Sequence, residues 1–226
     1  MASKIAVVLS GCGYLDGAEI QEAVFTLYQL DKAGAEYQCF APDKPQMHVV
    51  NHLTGEPTGE TRNVLVEAAR ITRGNVKPLA QAKLSDFDGL AIPGGFGVAK
   101  NLSTFATKGS DGSVDPDLAR LLSEALEQHK PIAAICIAPA AVALALRQAR
   151  LPGSKLKLTV GDPEDSAAKA IEALGCSHQG CPVEQIAIDE ERKIVSTPAY
   201  MLGPGPKGVA QGIERAITQL LSWARA

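Results

Sequence analysis

The sequence predicts an α/β fold, a mostly parallel sheet with helices on both faces, and three observations carry that expectation. Short strand-like runs at 4–9, the first rich in β-branched residues, and at 36–41, 87–92 and 132–135 alternate along the chain with amphipathic stretches. That order builds βαβ units. The early runs close on glycine or proline, at Gly11 and Gly13, Pro42, and Pro93-Gly94-Gly95, as strands feeding loops do. Alanine and glycine are abundant while aromatic residues make up 4% of the chain, which suits helices packed closely on a sheet. At 226 residues the chain falls within the length, up to roughly 250, that commonly forms one domain. Residues 1–226 are therefore read as a single domain.

Taken in order, 4–9 is a strand, followed by a glycine-rich turn and a helix over 18–33 that Gly34 stops. Residues 36–41 are the second strand, ahead of a long polar segment that opens at Pro42-Asp43. Helical periodicity returns over 60–73, with Val64, Leu65, Ala68 and Ile71 on one side and Arg62, Arg70 and Arg73 on another, read as a solvated face or subunit contact. After the strand at 87–92, a helix over 115–129 leads to the strand at 132–135. A strand at 156–160, a helix over 165–174, a hairpin pairing 186–188 with 194–197, and a closing helix over 209–224 complete the chain. In such a sheet, ligands bind beyond the carboxyl ends of the strands.

Charge and length exclude several partners. The formal net charge is −3, and no basic stripe gives a nucleic-acid footprint. Residues 131–146 are uncharged but contain two prolines and fall short of the roughly 20 residues of a spanning helix. Leu9-Ser10-Gly11-Cys12 resembles a lipoprotein cleavage site, yet only 5–9 precede it as an apolar core, less than the roughly 7 to 15 residues a signal peptide needs. Neither nucleic acid nor membrane is expected as a partner, and the expected location is cytoplasmic. Five cysteines, Cys12, Cys39, Cys136, Cys176 and Cys181, are expected reduced. Cys176, His178 and Cys181 lack a fourth ligand and match no common zinc spacing, so no metal is expected.

The chemistry centres on Cys136, set between Ala134 and Ala138 where an apolar strand meets an apolar helix. Small residues two positions either side are what a nucleophile elbow requires, because strand and helix pack closely there. Pro139 is tolerated in the first helical turn, so the helix is expected to start just after Cys136. At that N-terminus the helix dipole and unpaired N–H groups favour the thiolate, giving an expected low pKa. The alternative is a buried structural cysteine. A parallel sheet would bring Gly94-Gly95 and the Ile137 N–H to the same edge as an oxyanion hole; an ordinary glycine turn is the alternative. Glu19, early in the first helix, is the candidate general acid/base, although Asp16-x-x-Glu19 also reads as a capping box. A carboxyl beside a thiolate would have its pKa raised. Glu22, one turn on, is the second carboxylate and is expected to face solvent.

Histidine placement narrows the reaction. A class I glutamine amidotransferase pairs its cysteine with a downstream His-x-Glu, whereas His178 is followed by Gln179 and Gly180; a PfpI-type peptidase has histidine next to the nucleophile, where this chain has Ile137. Ser10-Gly11-Cys12-Gly13, Asn51-His52-Leu53-Thr54-Gly55-Glu56, Pro93-Gly94-Gly95-Phe96-Gly97, Cys136-Ile137-Ala138-Pro139 and Thr197-Pro198-Ala199-Tyr200-Met201 together resemble the ElbB proteins of the ThiJ/PfpI superfamily. The resemblance covers nearly the whole chain. It implies a flavodoxin-like three-layer sandwich, a homodimer, and a cofactor-free glyoxalase that converts glyoxal to glycolate, with Cys136 as nucleophile and Glu19 facing it. Where many relatives in the superfamily carry a histidine after the following strand, this chain has Gly161-Asp162-Pro163, so no base is assigned there. Two other readings stand beside it: a redox sensor in which Cys136 becomes a sulfinic acid held by protonated Glu19, and a non-catalytic dimer or scaffold. Deglycation is a related carbonyl-directed alternative.

Overall fold

The structure, a computed structural model, describes residues 2–148, 156–203 and 205–225. In chain order it runs β1 (Lys4–Val8), α1 (Ile20–Lys32), β2 (Glu36–Ala41), α2 (Val64–Thr72), β3 (Val76–Pro78), β4 (Gly89–Ile92), α3 (Phe96–Lys100) and α4 (Phe105–Lys108). It continues through α5 (Pro116–Glu127), β5 (Ile132–Ile135), α6 (Ala138–Gln148), β6 (Lys157–Gly161), α7 (Ser166–Ala173), β7 (Ser177–Gly180), β8 (Ala187–Asp189), β9 (Ile194–Thr197) and α8 (Pro206–Ala224). Seven strands form one sheet in the order β3-β2-β1-β4-β5-β9-β8, all parallel except β8, which returns antiparallel to β9. The expected α/β sandwich is present.

Two buried apolar clusters sandwich this sheet. Alternate strand residues such as Val8, Leu90, Ile92 and Ile132 join α3, α5, α6 and α7 on one side, and Val7, Ala91, Ala133 and Val195 join α1, α2 and α8 on the other. That alternation follows from the period of two in a strand. β5 contributes Ile132, Ala133, Ala134 and Ile135, all fully buried, and α6 is buried along its length from Ala138 to Leu146. A strand and helix covered on every side account for the long apolar run, and among the described residues no helix is long and apolar enough to cross a membrane.

Differences from the sequence reading have local causes. α1 begins two residues later than expected, because Glu19 is the N-cap and accepts the Glu22 N–H; Asp16 instead accepts from the Val50 N–H at 2.8 Å. α2 begins at Val64, capped by Asn63, rather than at residue 60. The strand near 156–160 does not join the main sheet: β6 pairs in parallel with β7 as a separate two-stranded sheet, tied to β9 by the Thr159 N–H donating to Ser196 Oγ at 3.0 Å. Arg62 and Arg70 are not merely solvated, since both pair with the buried Glu67 carboxylate, at 3.5 and 2.9 Å.

Candidate functional site at the strand-helix elbow

The strand order reverses about β1 and β4, and at such a switch point the loops leaving the carboxyl ends open a crevice. Here the β1–α1 loop, the β4–α3 turn and the β5–α6 turn meet. Cys136 links β5 to α6 with a φ of +62°, a left-handed conformation that a side-chain-bearing residue adopts only at a cost of about 1–3 kcal/mol. The Cys136 N–H donates to Thr197 O at 2.9 Å, which anchors the strained residue to β9. The elbow of the sequence reading is present.

Gly94 and Gly95 are required by close approach. A Cβ on Gly94 would lie 2.3 Å from Cys136 Cβ and 2.6 Å from Glu22 Oε2. Gly95 has a φ of +97°, and a Cβ there would lie 2.3 Å from Glu19 N. The backbone therefore brings β4, α1 and the elbow together with no room for a side chain. The predicted oxyanion group divides: the Gly95 and Ile137 N–H groups act on the Cys136 thiol, favouring its ionised form, whereas the Gly94 N–H is already used, donating to Glu22 Oε2 at 3.0 Å.

The carboxyl against the thiol is Glu22, contrary to the expectation that it faces solvent. Glu22 is 0% exposed. Its Oε2 accepts from Gly94 N–H, its Oε1 accepts from Tyr200 N–H at 3.2 Å, and its charge acts on the neighbouring Cys136 thiol. A buried carboxyl survives only with such partners. Burial and the neighbouring Glu19 charge push the Glu22 carboxyl up to about 8, against the pull of its hydrogen bonds. Glu19 stands one turn earlier, its Oε2 accepting the Glu22 N–H at 2.6 Å while its carboxyl lines the cavity above the thiol. Burial raises the Glu19 pKa, and the Glu22 and Gln21 N–H groups oppose the rise.

The expected low thiol pKa is not what the surroundings produce. Cys136 is 7% exposed, and burial together with the Glu22 charge raises its pKa well above the ordinary value, against the pull of the Gly95 and Ile137 N–H groups. A helix N-terminus favours a thiolate, but desolvation beside a second acid outweighs it. Two acids in contact cannot both ionise without strong repulsion, so the pair is best treated as one unit sharing protons.

Sequence reasoning missed the Tyr200 N–H, delivered by a tight turn over Ala199–Leu202 in which Ala199 has a φ of +45°. The other residues that drew attention lie elsewhere. His178 Nε2 accepts from the Val160 N–H at 3.1 Å, a structural bond between β6 and β7. Among the described residues, no histidine lines the cavity that holds Cys136, and no group of three or more His, Cys, Asp or Glu side chains is placed to share a metal ion.

Relatives fix the family. The chain is 42% identical over 229 residues to the human glutamine amidotransferase-like class 1 domain-containing protein 3, mitochondrial, spanning 97% of this chain and 83% of the relative. It belongs to the glutamine amidotransferase-like class 1 family. Other members of the family are the rat ES1 protein homolog, mitochondrial, 41% identical over 97% of this chain and 83% of the relative, and the zebrafish ES1 protein, mitochondrial, 35% identical over 88% and 77%. No protein-family model matches the chain. Among solved structures, an isoprenoid biosynthesis protein with amidotransferase-like domain from Ehrlichia chaffeensis superposes with a TM-score of 0.90 at 37% identity, covering 98% of this chain and 99% of that one. Drosophila melanogaster DJ-1beta shares the fold, with a TM-score of 0.56 at 17% identity over 100% of this chain and 95% of that one. The flavodoxin-like architecture read from the sequence is therefore that of the DJ-1/ThiJ/PfpI folds.

Proposed function

We propose that this family member is a cofactor-free glyoxalase of the ElbB type, converting glyoxal to glycolate on Cys136. The observation that carries the reading is the buried contact between the Cys136 thiol and Glu22 at the floor of a cavity, with two N–H groups favouring the ionised thiol. In the singly ionised pair the shared proton ends on Glu22 as sulfur adds to one aldehyde carbon, and the carbonyl electron pair becomes an alkoxide held by the Gly95 and Ile137 N–H groups. Glu19, on the cavity wall, carries the proton from the attacked carbon to its neighbour through an enediolate. A glycolyl thioester results. Water then attacks the acyl carbon, the carbon–sulfur bond breaks, Glu22 returns its proton to sulfur, and glycolate leaves. One carbon is oxidised as the other is reduced, so no external oxidant or reductant enters.

Glycolate release from glyoxal, measured in the absence of glutathione and metals, tests the reading. Wild type turns over, and Cys136→Ala, Glu22→Gln and Glu19→Gln lose most activity; an inactive wild type, or full activity in Cys136→Ala, overturns it. The sensor reading is weaker, because sensor thiols are exposed and of low pKa, whereas Cys136 is buried with a raised one. As partner beyond the small carbonyl we propose a second copy of the chain. Ile20, Val24 and Tyr28 form an exposed stripe along α1, at 46%, 46% and 56% exposure, and sedimentation reads the dimer directly. The cytoplasm is the proposed compartment, tested by fractionation, although the three relatives named above are mitochondrial by name.

A further inference from the structure

The cavity over Cys136 is far larger than glyoxal. It measures about 510 Å³, whereas a four-heavy-atom dialdehyde fills roughly 60–90 Å³, two to three water volumes at about 30 Å³ each. Its size falls in the range of sites that enclose much larger ligands. Cys136, Gly95 and Ile137 line it together with Glu19 on the wall. The remaining space is walled mainly by Phe96, Ala99, Phe105, Ala170 and Met201. Phe105 and Met201 are half-buried, packed against the apolar core, so they form a fixed surface. Phe96 is 52% exposed at the rim. The charged groups in the lining are Glu19 and Asp165, both acidic, and among the described residues no lysine or arginine joins them.

We infer that the preferred substrate is an α-oxoaldehyde whose ketone carbon bears an uncharged aryl or branched alkyl group, seated against Phe96, Phe105 and Met201. This rests on the glyoxalase reading and names its substrate class. The chemistry balances as before. Sulfur adds to the aldehyde carbon, the hydrogen on that carbon moves as a proton to the former ketone carbon, and hydrolysis of the thioester gives a 2-hydroxy acid and the free thiol. An apolar substituent gains burial in the empty volume, while a carboxylate or phosphate there would face two acids; among the described residues the cation beside Phe96 is Lys100, 5.6 Å from the ring centroid and already donating to Leu15 O at 2.7 Å.

The test compares kcat/KM of wild-type protein on glyoxal, phenylglyoxal and 4-carboxyphenylglyoxal, with Cys136→Ala as the blank for non-enzymatic reaction. Phenylglyoxal is expected to exceed glyoxal by about tenfold or more, the scale on which apolar pockets discriminate, and to exceed its carboxylated analogue by a similar factor. Ala170→Phe, which fills the substituent space, is expected to lower the phenylglyoxal-to-glyoxal ratio at least fivefold. Turnover of glyoxal with no preference for phenylglyoxal, or equal rates for the neutral and carboxylated probes, overturns this inference and leaves the glyoxalase reading standing. Turnover of none of the three overturns the reading and the inference together. The carboxylated probe reports on wild type, so the outcome does not depend on whether Ala170→Phe folds.

Discussion

Two regions of this molecule present cysteine to its surroundings, and they do so differently. At the β6–β7 sheet, Cys176 and Cys181 are raised to about 11 chiefly by burial; the Cys181 thiol donates to the neighbouring Pro182 carbonyl at 3.4 Å. Neither residue lines the cavity that holds Cys136. At the elbow, Cys136 is also raised, but by contact with Glu22 as well as burial, and two N–H groups act in the opposite direction. A raised pKa alone therefore says little about chemistry. Cys176 too feels an acid, Asp189, but one offset by Arg192; what separates the two is an acid against the thiol that can take its proton, donors that can hold a new anion, and a space where a substrate can sit.

Substitutions in the two regions are expected to diverge accordingly. Cys136→Ala lowers glyoxal kcat/KM by about a thousandfold or more, as loss of a nucleophile does, while Cys176→Ala and Cys181→Ala stay within about threefold; steady-state kinetics on the three purified variants decides. Comparable losses in all three would erase the distinction. Next in size is Gly94→Ala, whose Cβ meets both Cys136 and Glu22. It is expected to cost about 3 kcal/mol in urea unfolding, against less than about 0.5 kcal/mol for Gly59→Ala, whose Cβ would meet nothing within 4 Å.

A smaller effect sharpens the electrostatics. Glu22 binds its proton more tightly folded than unfolded, its pKa being about 8 in the fold against an ordinary 4.5. Its contribution to stability is thus full below about pH 4.5 and is lost as pH rises through about 8, at about 1.4 kcal/mol per pH unit between those values. Glu22→Gln cannot titrate and is expected to remove that slope, even though its amide can accept from only one of the Gly94 and Tyr200 N–H groups. Urea unfolding at several pH values measures it. An unchanged slope would mean that Glu22 is already ionised in the folded protein at low pH.

Much of this site was legible from residue order. The small flanks of Cys136 and the paired glycines after β4 are local requirements, and local requirements leave a local pattern. Glu22 left none of the usual kind. A helical reading of α1 would bury its large apolar residues, yet Ile20, Val24 and Tyr28 are exposed while Glu22, Thr26 and Leu30, spaced four apart, face inward. An acid on the core face is unfavourable unless partners from distant segments meet it, and those partners, Gly94, Cys136 and Tyr200, come together only in the fold. The same applies to the thiol. Its position at a helix start is written in the sequence, but its burial beside an acid is a property of packing. β3 and β7 were missed because Val76–Pro78 is three residues ending in proline and Ser177–Gly180 has no apolar residue, so neither carries a strand signal.

The central claim is that Cys136 and Glu22 act as one buried, proton-sharing unit and do not present a standing thiolate. Its most direct test is the rate of Cys136 alkylation by iodoacetamide as a function of pH, followed by mass spectrometry of the intact protein and its peptides. Slow alkylation at pH 6 that climbs through about pH 8 and continues to rise is the result predicted by the raised pair. Alkylation already at its plateau at pH 6 would show a free thiolate and contradict the account.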